Sequence, residues 1–267
     1  MDWEVTALLD IQDLHVKFLT TGKEAVRGIS LAIPYGGRLG LVGESGSGKT
    51  VTAMALTGLI ERSIVEMRGQ VLFEGRDLLQ CTRRELRTVH GRDIGVVFQE
   101  PMRSLNPLMR VGQQIEEPLK IHTDKTVSER YRLTLEAMEQ VGLPDPETTY
   151  KKYPHQLSGG QRQRAIIASA MITRPRLLVC DEPTTALDVT VQKQILELLR
   201  SMSQEYGVGI LLISHDMTVV RRLCENVAVM YKGQIVEQGD TEAIFHNPQD
   251  SYTQRLIAAI PTRKHHV

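Results

Sequence analysis

Residues 43–50 read Gly43-Glu44-Ser45-Gly46-Ser47-Gly48-Lys49-Thr50 and match the pattern G-x-x-x-x-G-K-[ST]. A short apolar strand candidate, 38–42, precedes them, and a run with helical spacing, 51–60, follows. The pattern requires this context, because the glycines let the backbone turn its N–H groups inward around an anion while the helix adds the positive end of its dipole. The segment therefore predicts a loop that binds the phosphates of a nucleotide.

Two side chains at the end of this loop have separate predicted roles. Lys49 can reach the β- and γ-phosphates as a mobile point charge. The hydroxyl of Thr50 can ligate Mg²⁺, which keeps its remaining water and phosphate ligands. A glycine-rich turn in an unrelated fold is the alternative, and the flanking strand and helix argue against it.

A second apolar strand candidate, 177–180, leads directly into Asp181 and Glu182. A carboxylate at the end of such a strand can hold the Mg²⁺ shell, which is the role predicted for Asp181. Glu182 is placed to act as general base on the attacking water. Alone, the pair could be an acidic strand end that enters a turn at Pro183. Together with the loop at 43–50, it predicts ATP or GTP binding.

A third motif, Leu157-Ser158-Gly159-Gly160-Gln161, precedes a helical run at 162–171. A serine and two glycines at a helix N-terminus form a second anion-binding design, although an ordinary helix cap is the alternative. The chain thus has two loops that can face a phosphate. Only the loop at 43–50 contains the lysine, and only one strand ends in the acidic pair. The economical interpretation is that the second loop covers a nucleotide held by another copy or by a homologue.

These motifs, in this order, resemble the ATP-binding subunits of ABC transporters over nearly the whole chain. Leu157 to Gln161 resembles the signature motif of that family. Three further segments resemble its Q-loop, D-loop and switch, respectively Phe98-Gln99, Ala186-Leu187-Asp188 and Ile213-Ser214-His215-Asp216. Phe18 falls where the family stacks an aromatic ring, often tyrosine or tryptophan, on adenine, and phenylalanine keeps the stacking without the hydroxyl.

The resemblance implies ATP and Mg²⁺ as cofactors and three sets of site residues. The catalytic set is Glu182, His215, which contacts the γ-phosphate, and Gln99, which senses Mg²⁺ and the γ-phosphate. The Mg²⁺ set is Thr50, Gln99 and Asp181. The nucleotide-binding set is Phe18, Gly43, Glu44, Ser45, Gly46, Ser47, Gly48, Lys49, Thr50 and Asp181, with Ser158, Gly159, Gly160 and Gln161 acting on the nucleotide of the opposite subunit.

Further strand candidates lie at 70–73 and 227–231, and the alternation of strand and helix candidates predicts an α/β fold. With the resemblance, this becomes a P-loop NTPase core of the ABC ATPase type, with an antiparallel β subdomain and an inserted α-helical subdomain. We expect a single nucleotide-binding domain over 1–267. The core with its β subdomain covers 1–99 and 171–247, the helical subdomain with the signature motif covers 100–170, and a short C-terminal tail covers 248–267.

Composition excludes several other classes of protein. The 267 residues have a net charge of 0, which argues against a globally basic nucleic-acid binder. The three cysteines lie far apart, which argues against a zinc or iron–sulfur site and suits a reducing cytosol. The apolar runs are too short to span a membrane, and the N-terminus lacks the basic region of a secretory signal.

A narrower resemblance points to the dipeptide, oligopeptide and nickel importer family. It rests on the segments 99–107, 153–155, 181–192 and 248–261. Glu100 stands where that family usually has Asp. The cysteine-bearing tail of many peptide members is missing, so its iron–sulfur site is not carried over, and the short form is similar to the nickel and metallophore branch. His265-His266 could suggest metal binding, but a solvated tail is the other interpretation.

The resemblance also implies partners and a location. The partners are a homologous second ATP-binding subunit, identical or different, two membrane permease subunits and, indirectly, an extracytoplasmic substrate-binding protein. The chain would lie on the cytoplasmic face of the inner cell membrane, as a peripheral subunit that drives uptake of di- or oligopeptides or of nickel or a metal chelate. The run 99–106, with Met102 and Leu105 as apolar contacts, is the predicted docking segment for a permease.

Four alternative functions stay open at this point. A soluble ABC ATPase of repair or translation usually has a coiled-coil insertion or two fused cassettes, and neither is present. A GTP-binding switch protein would have no use for the motif at 157–161. An exporter motor often has its membrane domain fused to the cassette. The motor of another kind of importer would share every motif, because the cassette contacts only nucleotide and partners.

Overall fold

A computed structural model of the protein describes residues 7–98, 104–185 and 187–260. The chain divides into two compact units. The first contains residues up to 33, residues 37–79 and those from 212 onward, and the second contains residues 34–36 and 80–211. The strands are β1 (Leu9–Phe18), β2 (Glu24–Ile33), β3 (Arg38–Val42), β4 (Val65–Phe73), β5 (Arg76–Asp77), β6 (Ile94–Val97), β7 (Leu177–Asp181), β8 (Gly209–Ser214), β9 (Asn226–Tyr231) and β10 (Gln234–Asp240).

Helices account for most of the second unit and also occur in the first. They are α1 (Lys49–Leu56), α2 (Arg83–Val89), α3 (Val111–His122), α4 (Val127–Gln140), α5 (Pro146–Lys151), α6 (Gly159–Met171), α7 (Val189–Tyr206), α8 (Met217–Leu223), α9 (Thr241–His246) and α10 (Ser251–Ala258), with a 3-10 turn at Pro154–Gln156.

Two groups of strands organise the first unit. Strands β2, β1, β4 and β5 form an antiparallel sheet in that order, and alternate residues of β1 such as Leu9 and Ile11 are buried, as period-two patterning requires. Strand β9 pairs antiparallel with β10 and parallel with β3. A Cβ atom on Gly40 would lie 2.2 Å from Cγ1 of Val220, so the glycine in β3 allows α8 to pack closely.

The second unit combines a parallel strand pair with a group of helices. Strand β6 pairs with β7, and every residue of β7 is buried, as expected for a strand covered on both faces. In the helical part, the hydroxyl of Tyr150 donates to the carboxylate of Glu116 at 2.7 Å, and Arg130 donates to the same carboxylate at 2.8 Å. These part-buried polar contacts connect α5 and α4 to α3.

The structure confirms the strands predicted at 38–42, 177–180 and 227–231 and corrects other boundaries. Strand β4 begins at Val65, before the strand predicted at 70–73. Its first half was not predicted because it contains exposed residues. The helix expected over 51–60 runs from Lys49 to Leu56. Helix α2 was not predicted, although Thr82 and Glu85 form a capping box at its start. The predicted domain boundaries stay a prediction.

Candidate functional site

The loop at 43–50 joins β3 to α1, and two of its glycines are required by packing. A Cβ atom on Gly43 would lie 2.1 Å from the carbonyl oxygen of Met230, and one on Gly48 would lie 2.5 Å from that of Ala25. Gly46 differs, because it adopts a positive φ of 79° but has no atom within 4 Å of a Cβ position. The positive φ therefore requires glycine at position 46, and the space beside this glycine is open.

Lys49 lies folded back over this loop. Its ammonium nitrogen donates to the carbonyl oxygens of Gly43 at 2.7 Å and Glu44 at 2.9 Å, and the side chain is only 5% exposed. The loop thus surrounds a positive charge with its own backbone dipoles. An anion in the loop would meet both this ammonium and the first turn of α1, where Gly48 at the N-cap brings no side chain.

The β9–β10 hairpin supports the loop from one side. The N–H of Gly233 donates to the carbonyl of Ser47 at 2.8 Å, and the N–H of Arg27 donates to the carbonyl of Gly233 at 2.8 Å. On another side, the N–H of Glu44 donates to the hydroxyl of Tyr252 at 2.8 Å. Sequence reasoning missed Tyr252, since no local signal connects residues 208 positions apart.

The switch segment, Ile213 to Asp216, begins in the last two residues of β8 and belongs to the first unit. Asp216 caps α8 by accepting from the N–H of Thr218 at 2.7 Å and from its hydroxyl at 2.6 Å. The N–H of Asp216 donates to the hydroxyl of Ser214 at 3.0 Å. His215, between these two fixed residues, is exposed at the carboxyl end of the strand. Phe18 ends β1 and is half-buried.

The acidic pair of the second unit lies at the end of β7. Asp181 is buried, whereas Glu182 is half-buried and adopts a positive φ of 46°, a conformation that L-residues rarely take. One carboxylate oxygen of Glu182 accepts from the hydroxyl of Thr185 at 2.9 Å. Backbone outliers of this kind gather at functional sites. Directly before the pair, burial raises the pKa of Cys180, so its thiol stays neutral and serves packing.

The motif at 157–161 begins α6 as a capping box. The hydroxyl of Ser158 accepts from the N–H of Gln161 at 3.2 Å, and the side-chain oxygen of Gln161 accepts from the N–H of Ser158 at 3.0 Å. Ser158 is exposed, and its hydroxyl proton is not used by this box. The motif can therefore cap its own helix and still donate to an external anion. The two interpretations drawn from the sequence, a helix cap and an anion-binding loop, are thus compatible.

The two glycines of this motif have different surroundings. A Cβ atom on Gly160 would lie 2.8 Å from Cγ1 of Val191 in α7, whereas one on Gly159 would make an ordinary contact of 3.7 Å with Leu187. Asp188 caps α7 by accepting from the N–H groups of Thr190 and Val191 at 3.0 and 2.9 Å. The start of α7 is thus fixed by its own cap and packs against the start of α6.

The described residues include every predicted site residue except Gln99. The loop 43–50, Phe18 and His215 belong to the first unit, and Asp181, Glu182 and the motif at 157–161 belong to the second. Ala186 of the predicted D-loop also lies outside the described residues. Taken one by one, Thr50 and Asp181 carry hydroxyl and carboxylate oxygens of the kinds that Mg²⁺ binds together with phosphate oxygens. Thr50 is exposed in the first turn of α1, and Asp181 has a carboxylate at a strand end.

Two classes of site are missing from the described part of the chain. No group of three or more His, Cys, Asp or Glu side chains is placed to hold a metal within residues 7–98, 104–185 and 187–260. Over the same ranges, no helix is both long enough and apolar enough to cross a membrane.

The chain belongs to the ABC transporter family, whose model matches residues 26–185. Among its relatives, the oligopeptide transport ATP-binding protein OppD of Bacillus subtilis is 46% identical over 97% of this chain and 73% of its own length. The dipeptide transport ATP-binding protein DppD of Escherichia coli is 45% identical over 96% of this chain and 79% of its own. The peptidoglycan transport protein YejF of Agrobacterium fabrum is 49% identical over 95% of this chain, which spans 47% of that protein.

Solved structures agree with this assignment. The cassette MJ0796, a dimer in a post-hydrolysis state with ADP and Pi, has a TM-score of 0.78 at 26% identity, covering 87% of this chain and 98% of that one. The cbiO1 protein of Clostridium perfringens has a TM-score of 0.76 at 28% identity, covering 91% and 92%. The predicted fold class, an ABC ATPase cassette with an antiparallel β subdomain and helical elements, is therefore confirmed.

Proposed function

We propose that this chain is the ATP-binding subunit of an ABC importer that takes up di- or oligopeptides. The observation that carries the proposal is the similarity to OppD and DppD over 96–97% of this chain. The subunit binds and hydrolyses ATP, and hydrolysis drives uptake through membrane partners. Nickel or metal-chelate uptake is the second candidate from sequence, and the similarity to oligopeptide and dipeptide transport proteins favours peptides over it.

The phosphates of ATP are bound by the loop at 43–50. The open space beside Gly46 admits a phosphate group, and the backbone N–H groups and the helix dipole favour its negative charge. Lys49 supplies a full charge, because its ammonium, directed by the carbonyls of Gly43 and Glu44, can also donate to phosphate oxygens. Phe18 stacks on adenine. Thr50, Asp181 and Gln99 hold Mg²⁺, which supplies charge neutralisation at the phosphates when bound.

Hydrolysis requires a base that takes a proton from the attacking water. Glu182 has this role, and the hydroxyl of Thr185 fixes the orientation of its carboxylate. His215 contacts the γ-phosphate from the turn between Ser214 and Asp216, and Gln99 senses the same group. The rigid cap formed by Asp216 holds the backbone of this turn in place.

Subunits of this family dimerise and work with membrane permeases. We place Ser158, Gly159, Gly160 and Gln161 against the nucleotide of the opposite subunit, where the hydroxyl of Ser158 is available as a donor. ATP then favours the closed dimer because only that state completes both sets of contacts. Loss of the γ-phosphate releases the clamp. The second subunit is a copy or a homologue, and an extracytoplasmic binding protein delivers the cargo to two permeases.

The docking segment predicted from sequence needs one correction. Leu105 is only 5% exposed, so it is a core residue and cannot serve as a docking contact, while Met102 lies outside the described residues. In place of Leu105, Leu108 is the proposed apolar contact for the permease, because it is 88% exposed. Its loop is held rigidly, because the buried Gln114 accepts from the N–H of Asn106 at 2.8 Å and donates to the carbonyl of Met109 at 2.8 Å.

Replacing Leu108 by Asp is expected to abolish co-purification with the permeases and leave ATP binding by the isolated subunit unchanged. The reason is that burying a carboxylate in an apolar contact is costly. Affinity purification of the whole transporter measures the loss. Val127→Asp, at another exposed apolar position, is the control and should assemble normally. Full assembly of the Leu108→Asp variant would place the docking surface elsewhere.

The cargo is tested by uptake in cells that depend on this transporter. Deleting the gene for this chain should abolish uptake of labelled di- or oligopeptides. The wild-type gene should restore uptake, and a gene encoding Lys49→Ala should not. Uptake of ⁶³Ni²⁺, free or chelated, is measured in the same strains. Peptide uptake that survives the deletion, together with lost nickel uptake, would reject the peptide assignment and favour the second candidate.

The same cells test the proposed location, since the chain should sediment with the cytoplasmic membrane only when the permeases are present.

A further inference from the structure

One peptide group of the phosphate-binding loop is held at both ends. The carbonyl of Gly43 accepts from the ammonium of Lys49 at 2.7 Å, and the N–H of Glu44 donates to the hydroxyl of Tyr252 at 2.8 Å. These two atoms belong to the same planar peptide, so the orientation of one fixes the orientation of the other. The hydrogen bond to Tyr252 therefore fixes the direction from which the carbonyl of Gly43 accepts the hydrogen bond of Lys49.

Rigid elements deliver the hydroxyl of Tyr252 to this point. The residue is 3% exposed in α10, and its ring stacks on that of Tyr231 in β9 with a centroid distance of 4.2 Å. Asp250 caps α10 by accepting from the N–H of Tyr252 at 2.8 Å.

The carboxylate of Glu237 in β10 anchors the segment just before α10. It accepts from the N–H groups of Gln249 at 2.8 Å and Asp250 at 3.1 Å. The sheet, this turn and the helix thus all restrain the phenol.

We propose that Tyr252 is a positioning residue for nucleotide binding, which acts on Lys49 through the peptide between Gly43 and Glu44. It touches no nucleotide atom itself. The inference rests on the proposed role of Lys49 as the phosphate-binding cation. It gives α10, a helix about 200 residues downstream of the phosphate-binding loop, a direct part in shaping the phosphate site.

The chemistry of the phenol suits this role. Burial raises the pKa of Tyr252, so the hydroxyl is neutral at physiological pH and adds no negative charge beside the triphosphate. Without the hydroxyl, the N–H of Glu44 loses its acceptor and the peptide is free to rotate. The carbonyl of Gly43 then no longer directs the ammonium of Lys49 toward the centre of the loop.

The test compares Tyr252→Phe with Tyr231→Phe in the full chain, with a fluorescent ATP analogue as the probe. Loss of one hydrogen bond predicts that the Kd rises about 3- to 10-fold in Tyr252→Phe. Tyr231→Phe is the matched control because its hydroxyl makes no side-chain or backbone hydrogen bond within the described ranges, and its Kd should not change. Thermal unfolding without nucleotide should differ between the two variants by no more than the loss of that one hydrogen bond.

A double-mutant cycle separates positioning from a general structural role. In a Lys49→Ala background, Tyr252→Phe should cause no further loss of affinity, because the residue it positions is gone. An equal loss in both backgrounds, or an unchanged Kd in the single variant, would overturn the proposal. If Lys49→Ala itself binds normally, the phosphate site and not only this inference is wrong. Should Tyr252→Phe fail to fold, Glu237→Ala loosens the same helix, and an unchanged Kd there also overturns the proposal.

Discussion

Replacing Glu182 by Gln is expected to lower the rate of ATP hydrolysis by about 10²- to 10⁴-fold while ATP binding persists. The amide keeps the size of the side chain and can still accept from Thr185, but it cannot take a proton from water. ATPase rates and ATP affinity of the purified complex give the two measurements. Because ATP binds and is not consumed, the variant should also accumulate as the closed dimer.

Two matched variants make this test specific. Glu197→Gln removes a carboxylate from the exposed face of α7, where an ion pair of 3.7 Å with Lys193 contributes little, so its rate should equal that of the wild type. Thr185→Val removes only the hydroxyl that orients Glu182, so it should lower the rate far less than Glu182→Gln does. A wild-type rate for Glu182→Gln would remove Glu182 from the role of general base.

Mixing two inactive chains is expected to restore ATPase activity if the site is shared between subunits. A Lys49→Ala chain lacks the phosphate-binding cation, and a Gly159→Asp chain brings a carboxylate against the opposite γ-phosphate. In a dimer of either variant, both sites carry one lesion, and loss of a single contact of this kind lowers the rate by roughly 10²-fold or more. The mixed dimer concentrates both lesions in one site and leaves the other intact.

Gly159 is the better position for this experiment than Gly160. A side chain at 160 would collide with Val191 and disturb the subunit itself, whereas a Cβ atom at 159 makes only an ordinary contact. Unfolding temperatures of the separate chains should therefore match that of the wild type. If the natural partner is a different protein, the lesions are divided between the two partners. ATP hydrolysis by a strictly monomeric preparation would contradict a shared site.

Features that depend on neighbours in the chain could be predicted from the sequence. The apolar runs at 38–42 and 177–180 became strands, and the glycine-rich loop lies between a strand and a helix as its pattern requires. The cap at Ser158 follows from its own side chain and that of Gln161 three positions on. In each case the interaction that forms the structure is local, so the residue types alone were informative.

Features that depend on distant residues could not be predicted. Leu105 looked like an exposed contact because apolar residues in an irregular segment give no periodicity from which burial could be inferred. The first half of β4 was missed because Glu66 and Arg68 point to solvent on an antiparallel sheet. Nor does any pattern show that Tyr252 reaches Glu44, because that contact exists only after the chain has folded.

The close approach of α6 and α7 at Gly160 and Val191 has a genetic consequence. The 2.8 Å that separates a Cβ at position 160 from Val191 means that mutations at these two positions cannot accumulate independently. A gene encoding a bulkier residue at 160 would first have to acquire a smaller one at 191. A search for revertants of a variant with a bulkier residue at 160 should therefore include codon 191.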